Sequence, residues 1–282
     1  MSAMSSELET RKVSVPGATL YVEIRGSGPV LLLITGGPTD AGVFTDLAGR
    51  LADRYTVVAY DQRGHSRSTL DAEPEGIPVS VHADDAAALL TSAGDKPAYV
   101  YGNSGGGTIG LELVARHPDR VRTLVAHEAP IFSLLPDADR WRATFADIDE
   151  TYRAAGAFPA MAKFGAAVEE GGPKYSEEMQ QQPQTPESQE MMGRMMGNFD
   201  LFLGHEIQQI SGYEPDLDTI RKASTRIVSA AGETSGQQGA RRAAIALAER
   251  LGIEVTYLPG GHGGWGADPE EFADRLRNVL SQ

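Results

Sequence analysis

The chain contains no cysteine. That removes disulfides, thiolate metal sites and a cysteine nucleophile, while leaving the compartment open. Long apolar runs are also missing: none approaches the roughly 18 residues that a bilayer-spanning helix needs. The N-terminal stretch Met1–Lys12 is polar and lacks the apolar core of a secretory signal, so the cytoplasm is the expected compartment. Basic residues are in the minority, with 25 Lys and Arg against 39 Asp and Glu and a net charge of −14. Acidity scattered along the chain argues against a nucleic-acid-binding surface and against attraction to anionic membranes. Neither a P-loop, nor an H-E-x-x-H pair, nor any other metal-ligand cluster occurs, so no cofactor or metal is expected. The expected partner is a small-molecule substrate. A homo-oligomer is compatible with the sequence, which does not specify one.

What is present is 282 residues, enough for one large α/β domain carrying an insertion. Lys12 to Leu20 and Tyr21 to Arg25 read as two antiparallel strands joined at Pro16-Gly17. Val30–Ile34 is continuously apolar, as in a strand buried on both faces. Helices are expected at 43–53 and 81–93, and strands at 55–60, 97–101 and 121–126. The alternation then breaks. Residues 131–222 are helical in character, with a polar stretch at 171–189 that reads as a loop. Strand 225–230, helix 239–251, strand 254–258 and helix 269–280 complete the chain. Such alternation predicts a mostly parallel, eight-stranded sheet with helices on both faces. The core would comprise 1–130 and 223–282, and 131–222 would be a helical lid at the carboxyl edge of the sheet, where open α/β folds bind ligands.

Gly102-Asn103-Ser104-Gly105-Gly106 lies between a predicted strand and a predicted helix. A G-x-S-x-G sequence in that position forces a sharp turn that exposes the serine hydroxyl above the sheet. Serine needs a base to take its proton, and the base needs a third group to fix its tautomer. Of the six histidines, His262 stands in Leu258-Pro259-Gly260-Gly261-His262-Gly263-Gly264-Trp265, directly after the last strand. From there it can reach over the sheet, whereas His82, His117 and His205 read as helix residues and His127 as a packing residue. An acyl-transfer site also needs donors for the developing oxyanion. The Gly105 amide is one candidate, and the Gly37 amide of the loop Thr35-Gly36-Gly37-Pro38 is the other.

That loop, the segment Asp61-Gln62-Arg63-Gly64-His65-Ser66-Arg67-Ser68, the Ser104 elbow and the His262 loop together resemble α/β-hydrolase-fold enzymes in order and approximate spacing. The resemblance covers the chain from about Val13 onward. It implies that fold, and it implies that Asp61 and Arg63 form a loop-holding ion pair rather than catalytic groups. The family usually has histidine where this chain has Thr35. It also usually places the triad carboxylate after the seventh strand, as an Asp at the position of Ser235 here. Glu233 is nearby, but a minority of the family resembles a different arrangement, with a glutamate after the sixth strand. Here that residue is Glu128. The sixth strand neighbours the nucleophile strand at about 5 Å in this fold, so Glu128 can approach the same imidazole. It is the preferred acid, with Glu233 the alternative.

The insert contributes Met191, Met192, Met195, Met196, Phe199 and Phe202, which with Trp265 are expected to shape an apolar substrate pocket, some lining it and others packing. Ser104 excludes aspartate-nucleophile chemistry. Proline iminopeptidases usually carry a Trp beside the nucleophile, where this chain has Asn103 and Gly105. The expectation is a serine hydrolase of carboxylic esters or lactones with a Ser104, His262, Glu128 triad. Carbon–carbon bond hydrolysis, a lyase or cyclase step on the same triad, and non-catalytic ligand binding are the alternatives.

Overall fold

The computed structural model describes residues 7–174 and 185–282. Most of the polar stretch expected to be a loop, at 171–189, therefore lies outside the described residues. A nine-stranded sheet organises the molecule. Its strands are β1 (Glu9–Val15), β2 (Ala18–Arg25), β3 (Val30–Ile34), β4 (Thr56–Tyr60), β5 (Thr69–Leu70), β6 (Ala98–Asn103), β7 (Val121–His127), β8 (Arg226–Gly232) and β9 (Thr256–Leu258). Eight of them form the path β1-β2-β4-β3-β6-β7-β8-β9. The ninth, β5, is two residues long and pairs with β2, too short to leave a pattern in the sequence. The β1 and β2 pairings are antiparallel, while every pairing from β4 to β9 is parallel.

The pleat explains how both faces are covered. Leu32 and Ile34 of β3 pack into one apolar cluster with Ala86 and Leu90 of α2 (Val79–Ala93) and Ile109 and Leu113 of α3 (Gly105–Arg116). Their neighbours Leu31 and Leu33 face the other way, joining Leu47 and Leu51 of α1 (Thr45–Leu51) and Phe272 and Leu276 of the last helix, Pro269–Leu280. A strand apolar on both faces is what a sheet covered on both sides requires.

Between β7 and β8 the described residues form no strand. They include α4 (Ala138–Ala155), α5 (Ala157–Val168), a helix at Pro186–Gly197 and a helical run broken by a π-turn at Phe202–Glu206. This insert has its own apolar cluster, built on Phe132, Trp141, Phe145, Ile148, Phe202 and Ile207. Phe132 and Trp141 stack at 4.1 Å. The insert rests on the helix Gly239–Leu251 through the same indole, since a Cβ on Gly239 would lie 2.1 Å from Trp141.

The expected Asp61–Arg63 ion pair does not form. Asp61, fully buried, instead accepts from Arg67 Nε at 2.7 Å and Nη2 at 2.8 Å, and from the Ala41 amide at 2.9 Å. Arg63 turns to Asp85 on α2, with bonds of 2.7 and 2.6 Å. Two arginines stand near one carboxylate in sequence, and packing against α2 decides which of them it keeps.

Candidate active site

The elbow is forced by its glycines. Ser104 joins β6 to α3 at φ 54° and ψ −125°, a conformation that non-glycine residues rarely adopt. A Cβ on Gly102 would fall 2.2 Å from the Gly106 carbonyl oxygen, and one on Gly106 would fall 2.1 Å from that of Ile34. Hydrogen bonds hold the strained residue: its amide donates to the His127 carbonyl at 2.9 Å, and its own carbonyl accepts from Gly107 at 2.8 Å.

Glu128 follows β7 and is also left-handed, at φ 48°. Its side chain is fully buried, and its Oε2 lies 2.7 Å from His262 Nδ1. Oε1 accepts the Gly232 amide at 2.8 Å. The partners are 134 residues apart in sequence and meet because β7 sits between β6 and β8. Burial pushes the Glu128 carboxyl up, but the hydrogen bond and charge of His262 outweigh it. With smaller help from His127 and the Ser235 hydroxyl, they hold the carboxyl at about 2. Ser235, at the usual position of the family's acid, is thus buried beside Glu128. Glu233 faces solvent, where it pairs with Arg275 at 3.6 Å rather than with His262.

Asn103 ties the two halves together. Its Nδ2 donates to the His262 carbonyl at 3.0 Å. His127 is fully buried, and desolvation lowers it to about 4, so it is neutral at ordinary pH. Its Nδ1 shares a hydrogen bond of 2.8 Å with the Tyr101 hydroxyl.

Ser104, Gly105, Gly37 and His262 all line one cavity of about 490 Å³. The loop carrying Gly37 packs directly on the elbow, for a Cβ on Gly36 would sit 2.6 Å from the Gly105 nitrogen and 2.7 Å from Ser104 Cβ. Gly105 opens α3, so its amide has no acceptor within the helix and lies at the positive end of the dipole. Of the predicted pocket residues, Met192, Met195, Phe199, Phe202 and Trp265 line the cavity. Met191 and Met196 do not. The Met191 sulfur lies against Gly42, and Met196 is exposed. Sequence reading missed Phe132, Phe145, Met161, Phe164 and Ile210, which also form the wall. Helical spacing of Trp141, Phe145 and Ile148 marks a buried face but not the cavity it turns toward. No Lys or Arg lines the cavity among the described residues. Nor, among them, is there a group of three His, Asp or Glu able to hold a metal, or a helix long and apolar enough to cross a membrane.

Residues 29–198 match the α/β-hydrolase fold family, and the chain belongs to that family. A chain from Bacillus subtilis (strain 168), described as the uncharacterized hydrolase YraK, is 36% identical over 276 residues, covering 96% of this chain and 95% of that one. Among solved structures, a thermophilic esterase from Thermogutta terrifontis superposes with a TM-score of 0.74 at 19% identity, over 97% of this chain and 98% of its own. The enol-lactonase from Burkholderia xenovorans LB400 gives a TM-score of 0.71 at 19% identity, over 96% and 100%. The family and the 36%-identical hydrolase relative support hydrolase activity, and the two superposed structures show the shared fold.

Proposed function

We propose that the chain is a serine hydrolase that cleaves a carboxylic ester or lactone of a neutral, largely apolar small molecule. The observation that carries the reading is the part-buried His262–Glu128 hydrogen bond, whose histidine lines the same cavity wall as the strained Ser104. Ser104 Oγ attacks the carbonyl carbon while His262 Nε2 takes its proton. Glu128 accepts the Nδ1 proton, which leaves Nε2 as the base and stabilises the imidazolium as it forms. The Gly37 and Gly105 amides receive the oxyanion. His262 then protonates the departing alkoxide, which stays attached to the acyl group when the substrate is a lactone. Water, deprotonated by His262, releases the acid and restores Ser104.

The cavity wall supports the substrate class. Its side chains are mainly Phe, Met, Ile and Val, and among the described residues no Lys or Arg lines it to offset a carboxylate on the acyl chain, while the carboxylate of Glu169 would repel one. Each buried methylene is worth about 0.8 kcal/mol, so kcat/KM should climb roughly fourfold per carbon until the space is filled. Residues 131–222 act as a cap on this reading, with 1–130 and 223–282 as the catalytic core.

A fluorophosphonate probe tests the nucleophile. Wild type should be labelled at Ser104, with labelling abolished by Ser104→Ala and strongly reduced by His262→Ala. A folded wild type that stays unlabelled refutes the activated serine. On p-nitrophenyl esters, a neutral hexanoyl ester should exceed an acyl chain of equal length ending in a carboxylate by at least about tenfold in kcat/KM.

A further inference from the structure

Within the loop that packs on the elbow, Gly37 itself has open space around it. Gly37 is left-handed at φ 61°, and nothing lies within 4 Å of the position its Cβ would take. Its shoulders, however, are gripped by the helical insert. Asn198 ends the helix Pro186–Gly197, is 3% exposed, and donates from Nδ2 to the Pro38 carbonyl at 3.1 Å. Its Oδ1 accepts the Ser66 amide at 2.7 Å. Arg194, one turn earlier, donates to Asp40 Oδ2 at 2.6 Å. Asp40 is fully buried and spends its other oxygen on the Gly42 amide at 2.9 Å. These contacts bridge 154 and 160 residues of sequence.

Ser66 strengthens the point. The non-glycine residues with left-handed φ among those described are Ser66, Ser104 and Glu128. Two belong to the proposed triad, and the third is held by Asn198. A third contact from the insert pins the segment carrying Ser66: Glu206, in the π-turn, lies buried with Oε2 at 2.9 Å from His65 Nε2.

We propose that Asn198 is a positioning residue for the oxyanion loop. By holding the Pro38 carbonyl and the Ser66 amide, it sets the orientation of the peptides around Gly37. The insert thus builds part of the acyl-transfer site as well as walling the cavity. The inference rests on Gly37 being an oxyanion donor, as proposed above. Asn198 is not on the cavity wall and touches no substrate, so its effect falls on the transition state.

The test compares wild type, Asn198→Ala and Asn198→Asp. The aspartate keeps an acceptor for the Ser66 amide but turns an oxygen toward the Pro38 carbonyl. Steady-state hydrolysis of a neutral p-nitrophenyl ester is measured beside inhibition by two ligands of equal chain length. One is a trifluoromethyl ketone, which adds Ser104 and forms an oxyanion. The other is a carboxamide, which mimics the bound ground state. For Asn198→Ala, kcat should fall about 10- to 100-fold with KM within about twofold, and the ketone should weaken by the same factor. The carboxamide should bind as it does to wild type. Asn198→Asp should lose at least as much, and it carries the test alone if the alanine variant melts early. Wild-type kcat and ketone affinity in a folded variant overturn the inference, as does equal weakening of both ligands. If wild type itself neither labels at Ser104 nor turns over esters, the nucleophile assignment fails, and this inference with it.

Discussion

Replacing Glu128 by glutamine leaves the shape of the site intact and inverts its proton logic. The Gly232 amide points at Oε1 from 2.8 Å and demands an acceptor there. A glutamine therefore places its carbonyl oxygen at that position and its NH2 where Oε2 now meets His262 Nδ1 at 2.7 Å. Facing a donor, Nδ1 must accept, which leaves the proton on Nε2, the nitrogen that should take it from Ser104. The charge is lost as well. Glu128 is held at about 2 against an ordinary 4.5, a preference for the ionised form of about 3 kcal/mol, or roughly a hundredfold in rate if it is all expressed on the imidazolium. Charge and tautomer together should lower kcat by about 10³ to 10⁴, with KM little changed. The assay is ester turnover by protein whose folding is checked by thermal melting. Glu233→Gln is the control, since its carboxylate reaches only Arg275 at the surface. Retention of more than about a tenth of wild-type kcat by Glu128→Gln would refute the reasoning, and so would a large loss in Glu233→Gln alone.

Two predictions concern stability. Because the folded-state carboxyl of Glu128 is depressed, its contribution is fully present above about pH 4.5 and is lost as pH falls toward about 2. Urea titrations across that interval should show the stability difference between wild type and Glu128→Gln changing by about 3 kcal/mol in favour of the variant as the solution is acidified. Separately, Arg63→Ala should strand the buried Asp85 carboxylate, whose bidentate partner it is, and cost about 3 to 5 kcal/mol in chemical denaturation. Turnover per folded molecule should be unchanged, because neither residue lines the cavity.

Much of the fold was written locally. The continuous apolar run of Val30–Ile34, five residues long after a Gly-Pro turn, reads as a strand buried on both faces, and the helices Gly239–Leu251 and Pro269–Leu280 begin and end where the residue pattern says they should. The bend at Ser104 is equally local, because glycines at 102 and 106 are the only residues that avoid contacts near 2 Å. These features depend on neighbours within a few residues, and a sequence lists neighbours directly.

Partner choice is another matter, because a side chain selects among groups that only the packed chain brings together. Both Glu128 and Glu233 stand near strand ends, and strand order puts the first on His262 and the second on Arg275. Asp61 had Arg63 two residues away and took Arg67 instead, since α2 offered Arg63 the carboxylate of Asp85. Asn198 carries no motif at all, and its grip on Pro38 exists only because a helix 160 residues downstream lies across the loop. The sequence by itself determined the main strands, the sharp turn and the residue types proposed for acyl transfer, because local sterics and periodicity suffice for those. Only the tertiary structure decided which acid meets the histidine and what holds the loop of Gly37, because those are hydrogen bonds between distant segments, chosen by geometry within an ångström.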